Sequence, residues 1–329
     1  MGVGSRQTLT AALPPGQFHC LLDELPLHLI PRRFESQGQN LVQEQLVLNP
    51  QCSLLTGGAV PEELEGQREL IEDFNLQGTV AWVRDPATES LQPFWLGPRL
   101  EGVVSRLRAG EPVPAWVPAD VRIVLALAGI LITADHVERR RAGWVEVVGK
   151  KSRQFQEKGY VPLGNLIHPF HLAALRRYYR HAIRRGAIRL GDDQSSRRYV
   201  AHNESVARFF HYQIANAVAA IAGEAIKPSY VYLASYLSGA ELKKHTDREQ
   251  CEFSVTLCLD FSPEPELATS WPIRLDTGKG TVTVYQSLGD GLVYRGTKVP
   301  HYRGVLPEGQ TSTSIFFHYV PVNFSGPLN

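Results

Sequence analysis

The chain has 329 residues, with 34 Lys plus Arg against 33 Asp plus Glu and a formal net charge of +1. That length suits one elaborated domain or two modest ones, and the near-zero charge offers no global attraction for nucleic acid or an anionic membrane. Hydrophobic residues make up 43% of the chain, as in an ordinary soluble globular protein. Cys20, Cys52, Cys251 and Cys258 lack CxxC spacing and read as free thiols of a reducing compartment. The opening stretch MGVGSRQTLTAALPPG lacks the apolar core of a signal peptide. The best apolar run, Val124 to Ile132, is too short to span a bilayer. A soluble cytoplasmic protein is expected.

Residues 1 to about 150 form a first block. Leu41 to Asn49 alternates like a strand, and Gly78 to Asp85 is a second strand candidate. Leu100 to Gly110 carries apolar residues at helical spacing and ends on glycine; Pro118 to Leu131 is a further helix candidate with Asp120 near its start. This strand-then-helix order is loosely similar to small winged-helix peptide-binding modules of the PqqD type. A plain packing or dimerisation domain is the other reading.

A helical block follows. His168 to Gly186 is amphipathic, with Leu172, Leu175, Tyr179 and Ile183 on one face and arginines opposite, a face for solvent or for an acidic partner. Asn203 to Gly223 has an Asn cap candidate, an apolar stripe and a terminal Gly. After Lys227 come short β-branched and aromatic runs: SYVYLASYL, EFSVTLCLDF, SWPIRLD, GTVTVYQ, GLVYRG and SIFFHYV. Pro, Gly and Asp separate them. Such a series without helices predicts an antiparallel barrel or double-sheet jelly roll. The expected fold is therefore α+β: a double-stranded β-helix (jelly-roll) barrel buttressed by helices over 151–329, with a smaller N-terminal α+β domain over 1–150.

Within the β-rich part, His245 and Asp247 stand two apart in LKKHTDREQ, and His301 follows in VPHYRG. Residues two apart on a strand share a face, so the pair can point inward from a strand end while His301 closes the triangle from a later strand. Two imidazoles and one carboxylate occupy one face of a metal and leave the other open, the usual arrangement of non-haem Fe(II) oxygenases.

The segment from Tyr232 to Tyr319 resembles the 2-oxoglutarate and Fe(II)-dependent oxygenases, in particular their prolyl-hydroxylase-like branch. The stretches that carry the resemblance are YLASYLSGAELKKHTD, GDGLVYRG, VPHYRG and SIFFHYV. They span about a quarter of the chain, or half with the helical buttress. The resemblance implies that His245, Asp247 and His301 are iron ligands and that Tyr236 helps bind 2-oxoglutarate. It also implies hydroxylation rather than halogenation, because relatives that halogenate have Gly or Ala where this chain has Asp247.

In one place the pattern breaks. Most of the family holds the distal carboxylate of 2-oxoglutarate with an Arg or Lys at the start of the final strand, where this chain has Gln310 or Thr311. A buried carboxylate needs a charged partner or several donors. Arg303 stands two residues after His301 and would share its face; Arg295 lies on the preceding strand; Arg274, in WPIRLD, is the third choice. Ser312 and Thr313 would add hydroxyls. The expected reactants are O2, 2-oxoglutarate and a small-molecule or peptide substrate, with Trp271, Tyr285 and Tyr302 as pocket candidates. Two rivals remain: a scaffold or peptide-binding protein whose barrel no longer turns over, and a cupin-like metal enzyme without a keto acid. Cys251, Cys258 and His318 do not supply the spacing of the further histidines that cupin sites add.

Overall fold

A computed structural model describes residues 16–25 and 45–329. In the first block, runs rich in Val, Trp and Phe form short strands: β1 (Val47–Leu48), β2 (Cys52–Thr56), β3 (Thr79–Arg84), β4 (Leu91–Leu96) and β5 (Leu131–Ile132). They alternate with helices α1 (Glu62–Glu65), α2 (Pro98–Val104) and α3 (Ala119–Leu127). β2, β3 and β4 make an antiparallel three-stranded sheet, while β1 pairs with β5. Of the strand expected over Leu41 to Asn49, residues 41–44 lie outside the described residues, and only Val47–Leu48 pairs. The helix expected through Gly110 stops at Val104. That expected through Leu131 stops at Leu127, because Gly129 takes a positive φ of 70° and redirects the chain into β5.

The middle of the chain holds α4 (His136–Lys158), β6 (Tyr160–Leu163), α5 (Pro169–Arg184), β7 (Arg189–Leu190), β8 (Arg198–His202), α6 (Ser205–Gln213) and α7 (Ala215–Ala222). α4 runs unbroken across residue 150, so a division there falls inside a helix. Pro169 at the first turn and the His168 side chain, which accepts from the Phe170 N–H, start α5. Part of its arginine face is taken up inside the chain, while Arg184 and Arg185 at its end are exposed. Arg176 is fully buried and pairs with Asp260 at 3.0 Å and Glu264 at 2.8 Å, and Arg180 pairs with Asp260 as well. For these two arginines the acidic partners lie within the same chain. The single helix expected over Asn203 to Gly223 breaks at Ile214. Its cap is Glu204, which accepts from Ala207 N; Asn203 instead turns its side-chain oxygen to Val231 N.

The remainder is β-rich: β9 (Ile226–Tyr236), β10 (Leu242–His245), β11 (Phe253–Ser262), β12 (Ile273–Thr277), β13 (Gly280–Val284), β14 (Gly291–Tyr294), β15 (His301–Arg303) and β16 (Thr311–Pro321). Two antiparallel sheets result, one of seven strands in the order β6-β14-β11-β16-β9-β8-β7 and one of four in the order β10-β15-β12-β13. This mixed α/β architecture with many antiparallel strands is consistent with a jelly roll. Register puts Ser254 opposite both His318 and Tyr294, and Tyr236 opposite both Ser312 and Arg198. One continuous apolar core runs from Phe18, Phe74 and Trp95 through Phe209 and Phe210 to Val231 and Phe253. Ring contacts such as Phe74 to Phe209, 4.9 Å between centroids, tie the first block to the helices behind the seven-stranded sheet. All four cysteines are free. No helix among the described residues is long and apolar enough to cross a membrane.

Candidate metal centre

β10 ends on His245 and β15 begins on His301, and the two are direct partners across the antiparallel ladder. Their rings lie 4.3 Å apart between centroids. Asp247 sits just past the strand, where its backbone N–H donates to the Gly296 carbonyl at 2.9 Å. From there its Oδ1 lies 3.6 Å from His245 Nε2 and 3.5 Å from His301 Nε2. The ligand atoms of the three residues all lie within 4.8 Å of one another. Bonds of about 2.1 Å at right angles separate neighbouring donors by about 3 Å, so one ion fits this triangle after small adjustments.

The surrounding hydrogen bonds fix which atoms face the ion. His245 Nδ1 meets the Lys243 carbonyl at 2.8 Å and His301 Nδ1 meets the Val299 carbonyl at 3.0 Å. A carbonyl only accepts, so each Nδ1 carries the proton and each Nε2 keeps its lone pair for the metal. The Ser254 hydroxyl donates to Asp247 Oδ2 at 2.6 Å and meets His318 Nδ1 at 2.9 Å, so Nδ1–H of His318 donates in turn. Oδ1 is thereby left toward the histidines. Burial alone would raise the Asp247 carboxyl, but the neighbouring His301 and His318 and the hydrogen bond from Ser254 outweigh it and hold the group well below the usual carboxylate range. Burial and the neighbouring His301 lower the His245 imidazole, which favours its neutral form. Gly296 is pressed against this cluster. A Cβ there would overlap Asp247 Oδ2, the Cys251 carbonyl and Ser254 Oγ.

Beyond the triad, β15 alternates: His301 and Arg303 are buried and Tyr302 faces outward. The Arg303 guanidinium is 4% exposed and lies 4.8 Å from the Trp271 ring. It donates to the Trp271 carbonyl at 2.5 Å and to Gln286 Oε1 at 3.1 Å, and no acidic side chain of the described residues pairs with it. Tyr236, also buried, sets its ring edge against Trp271 at 5.1 Å and accepts from Arg198 Nη1 at 3.2 Å. Burial pushes its phenol up, against the pull of Arg198 and Arg303. Trp271 thus joins Tyr236 and Arg303 into one group on the same side as the triad.

Arg295 is not part of that group. Tyr294 points inward, so alternation turns Arg295 outward toward α4. There it meets Glu252 at 3.4 Å and Gln156 at 3.1 Å and lies over the rings of Phe155 and Phe253. Arg274 likewise faces outward, opposite Tyr302. Among the aromatic pocket candidates Trp271 is buried beside Arg303, Tyr285 is 59% exposed, and Tyr302 packs under Lys244 and Arg274. Gln310 bonds to Ser270 at the rim. Ser254, Gly296 and Arg198 were not singled out in the sequence, and His318 was named there only as lacking cupin spacing. Ser254 had a signal: Ser254, Thr256 and Cys258 alternate with Phe253, Val255 and Leu257, which marks a polar inner face on β11.

No protein-family model matches this chain, and no curated protein does. Several solved structures are similar over about half of it. One is AviO1 from Streptomyces viridochromogenes Tue57, 18% identical over 54% of this chain and 97% of that one, with a TM-score of 0.45. A prolyl-4-hydroxylase of Pseudomonas putida is 17% identical over 53% of this chain and 98% of that one, with a TM-score of 0.42. The epimerase SnoN in complex with Fe3+, alpha ketoglutarate and nogalamycin RO is 13% identical over 56% of this chain and 94% of that one, with a TM-score of 0.44.

Proposed function

We propose that this chain is a non-haem Fe(II) and 2-oxoglutarate-dependent dioxygenase that hydroxylates an unactivated C–H bond of a peptidyl or amino-acid-derived substrate. The two β-sheets would be the two faces of a double-stranded β-helix, and the metal centre would lie between them. One observation carries the reading: His245, Asp247 and His301 converge with their donor atoms within 4.8 Å, on a strand pair that makes the two histidines direct neighbours. The donor set is the facial triad of two imidazoles and one carboxylate. Fe(II) held there supplies O2 activation coupled to decarboxylation of the keto acid, so that 2-oxoglutarate, O2 and R–H become succinate, CO2 and R–OH.

The chain's own groups do the rest. Lys243 and Val299 carbonyls hold the histidine tautomers, and Ser254 aims the Asp247 carboxylate. Arg303 is the anchor for the distal carboxylate of 2-oxoglutarate. It is a buried cation whose partners are neutral, it shares the inward face of His301, and Tyr236 stands beside it with a hydroxyl proton to donate. A purified chain should convert 2-oxoglutarate to succinate in an Fe(II)-dependent way, and His245→Ala should abolish the conversion. Turnover untouched by that substitution overturns the assignment.

A further inference from the structure

We propose that Asp247, Cys251 and His318 form a second divalent-metal site, back to back with the first and sharing Asp247, that takes a thiophilic cation of the zinc class. Ligand atoms of these three residues also lie within 4.8 Å of one another. Asp247 gives Oδ1 to the two histidines of the first site, while Oδ2 faces away, toward Ser254 and His318. Cys251 comes from a single 3-10 turn, Glu249–Cys251, that follows Asp247 directly. His318 comes from β16, paired with Ser254 on β11.

Nitrogen, sulfur and oxygen donors in one cluster suit Zn2+ and its analogues, whereas Mg2+ and Ca2+ want oxygen alone. Cys251 is 0% exposed and His318 is 6% exposed, so bulk water competes poorly for an ion there. The Tyr230 hydroxyl lies 3.1 Å from Cys251 Sγ, placed to donate to a thiolate, and its ring tilts against His318 at 4.6 Å between centroids. Glycine at 296 lets the backbone come close to this cluster, since a Cβ there would overlap Asp247 Oδ2, the Cys251 carbonyl and Ser254 Oγ. The Ser254 hydroxyl donates to Asp247 Oδ2 and accepts from His318 Nδ1–H, so it holds these two ligands together, and an ion bound at Nδ1 would displace that proton and its hydrogen bond. Cys251 makes no disulfide, and the triad has no use for it.

Filling this site turns Asp247 into a carboxylate bridge. A dication on Oδ2 draws charge from Oδ1 and weakens the metal held in front, so a zinc-class ion acts as an inhibitor from behind. The geometry of the site stands whether or not the chain is an oxygenase.

Co2+ titration of the metal-free full-length chain tests it. A thiolate-to-Co(II) charge-transfer band in the near ultraviolet should develop, disappear in Cys251→Ser, and persist in the His245→Ala/His301→Ala double variant that lacks the front site. His318→Gln should raise the Co2+ concentration at half-occupancy at least tenfold, and it decides the matter should Cys251→Ser fail to fold by circular dichroism. The proposal is overturned by the absence of the band in the parent chain. A band that survives Cys251→Ser, one that vanishes with the two front histidines, or an unchanged titration in His318→Gln overturns it equally. None of these readings uses 2-oxoglutarate turnover, so a failure here is distinct from a failure of the oxygenase assignment.

Discussion

Replacing Arg303 with methionine separates binding from stability. The guanidinium offers five N–H donors, and the protein uses two, on the Trp271 carbonyl and on Gln286. The free part of the fork is what a distal carboxylate would meet. A charge-assisted hydrogen bond contributes about 1.5–3 kcal/mol. Losing a bidentate pair therefore costs about 3 kcal/mol, and at 1.4 kcal/mol per factor of ten the half-saturating concentration of 2-oxoglutarate should rise roughly 100-fold. Stability should move little. The variant loses two hydrogen bonds but also removes a buried cation that no carboxylate neutralises, so opposing changes leave the folded state within about 2 kcal/mol of the parent. Arg303→Lys keeps the charge without the planar fork and should fall between the two. The assay is succinate formation against 2-oxoglutarate concentration, paired with thermal unfolding without ligand. A half-saturation point shifted less than about threefold, with an intact melting temperature, refutes Arg303 as the anchor and redirects attention to Arg198.

Two further perturbations probe the same region. Gly296→Ala forces a methyl group onto Asp247, Cys251 and Ser254, so it should weaken metal binding at least tenfold by calorimetric titration and lower stability by about 1–3 kcal/mol; parental metal affinity in the variant would show that the close approach is not restrictive. Asp192 accepts from Arg198, Tyr232 and the Ser195 N–H; burial pushes its carboxyl up, but these bonds prevail and hold it at about 2. With the unfolded value near 4, its contribution to stability is complete above about pH 4 and is lost as the pH falls through about 2. Asp192→Asn should therefore be less stable than the parent near pH 7, with the gap closing in acid; a gap that stays constant in denaturant titrations from about pH 7 to pH 2.5 contradicts this.

What the sequence could reveal followed from local period. The strands after Lys227 announced themselves by β-branched and aromatic runs, and a histidine two residues before an aspartate at a strand end located two of the three corners of the metal triangle. The same period-two logic places Arg303 with His301. The same alternation gives the inward position on β14 to Tyr294 and turns Arg295 to the other face. α4 carries no such local signal. Only Phe155 on it is buried, so its sequence has no apolar stripe to betray a helix. The break at Ile214 was hidden because apolar residues continue through it into α7, and only the backbone shows where one helix ends.

The pieces least legible in the sequence are those whose meaning depends on strand pairing between distant segments. Ser254 and His318 are neighbours only because β11 lies beside β16, and Cys251 joins them only because the 3-10 turn brings it back toward Asp247. A thiol and an imidazole with no spacing relation in the chain thus end up around one carboxylate. Sequence spacing finds metal ligands that one local element presents, as His245 and Asp247 are presented by the end of β10. Ligands assembled across a sheet have no spacing to find. That difference is physical: local spacing is set by the 3.3 Å rise of a strand, whereas cross-strand proximity is set by topology and register. A centre with one locally presented pair therefore invites a search of the neighbouring strands for donors on the far side of the shared carboxylate.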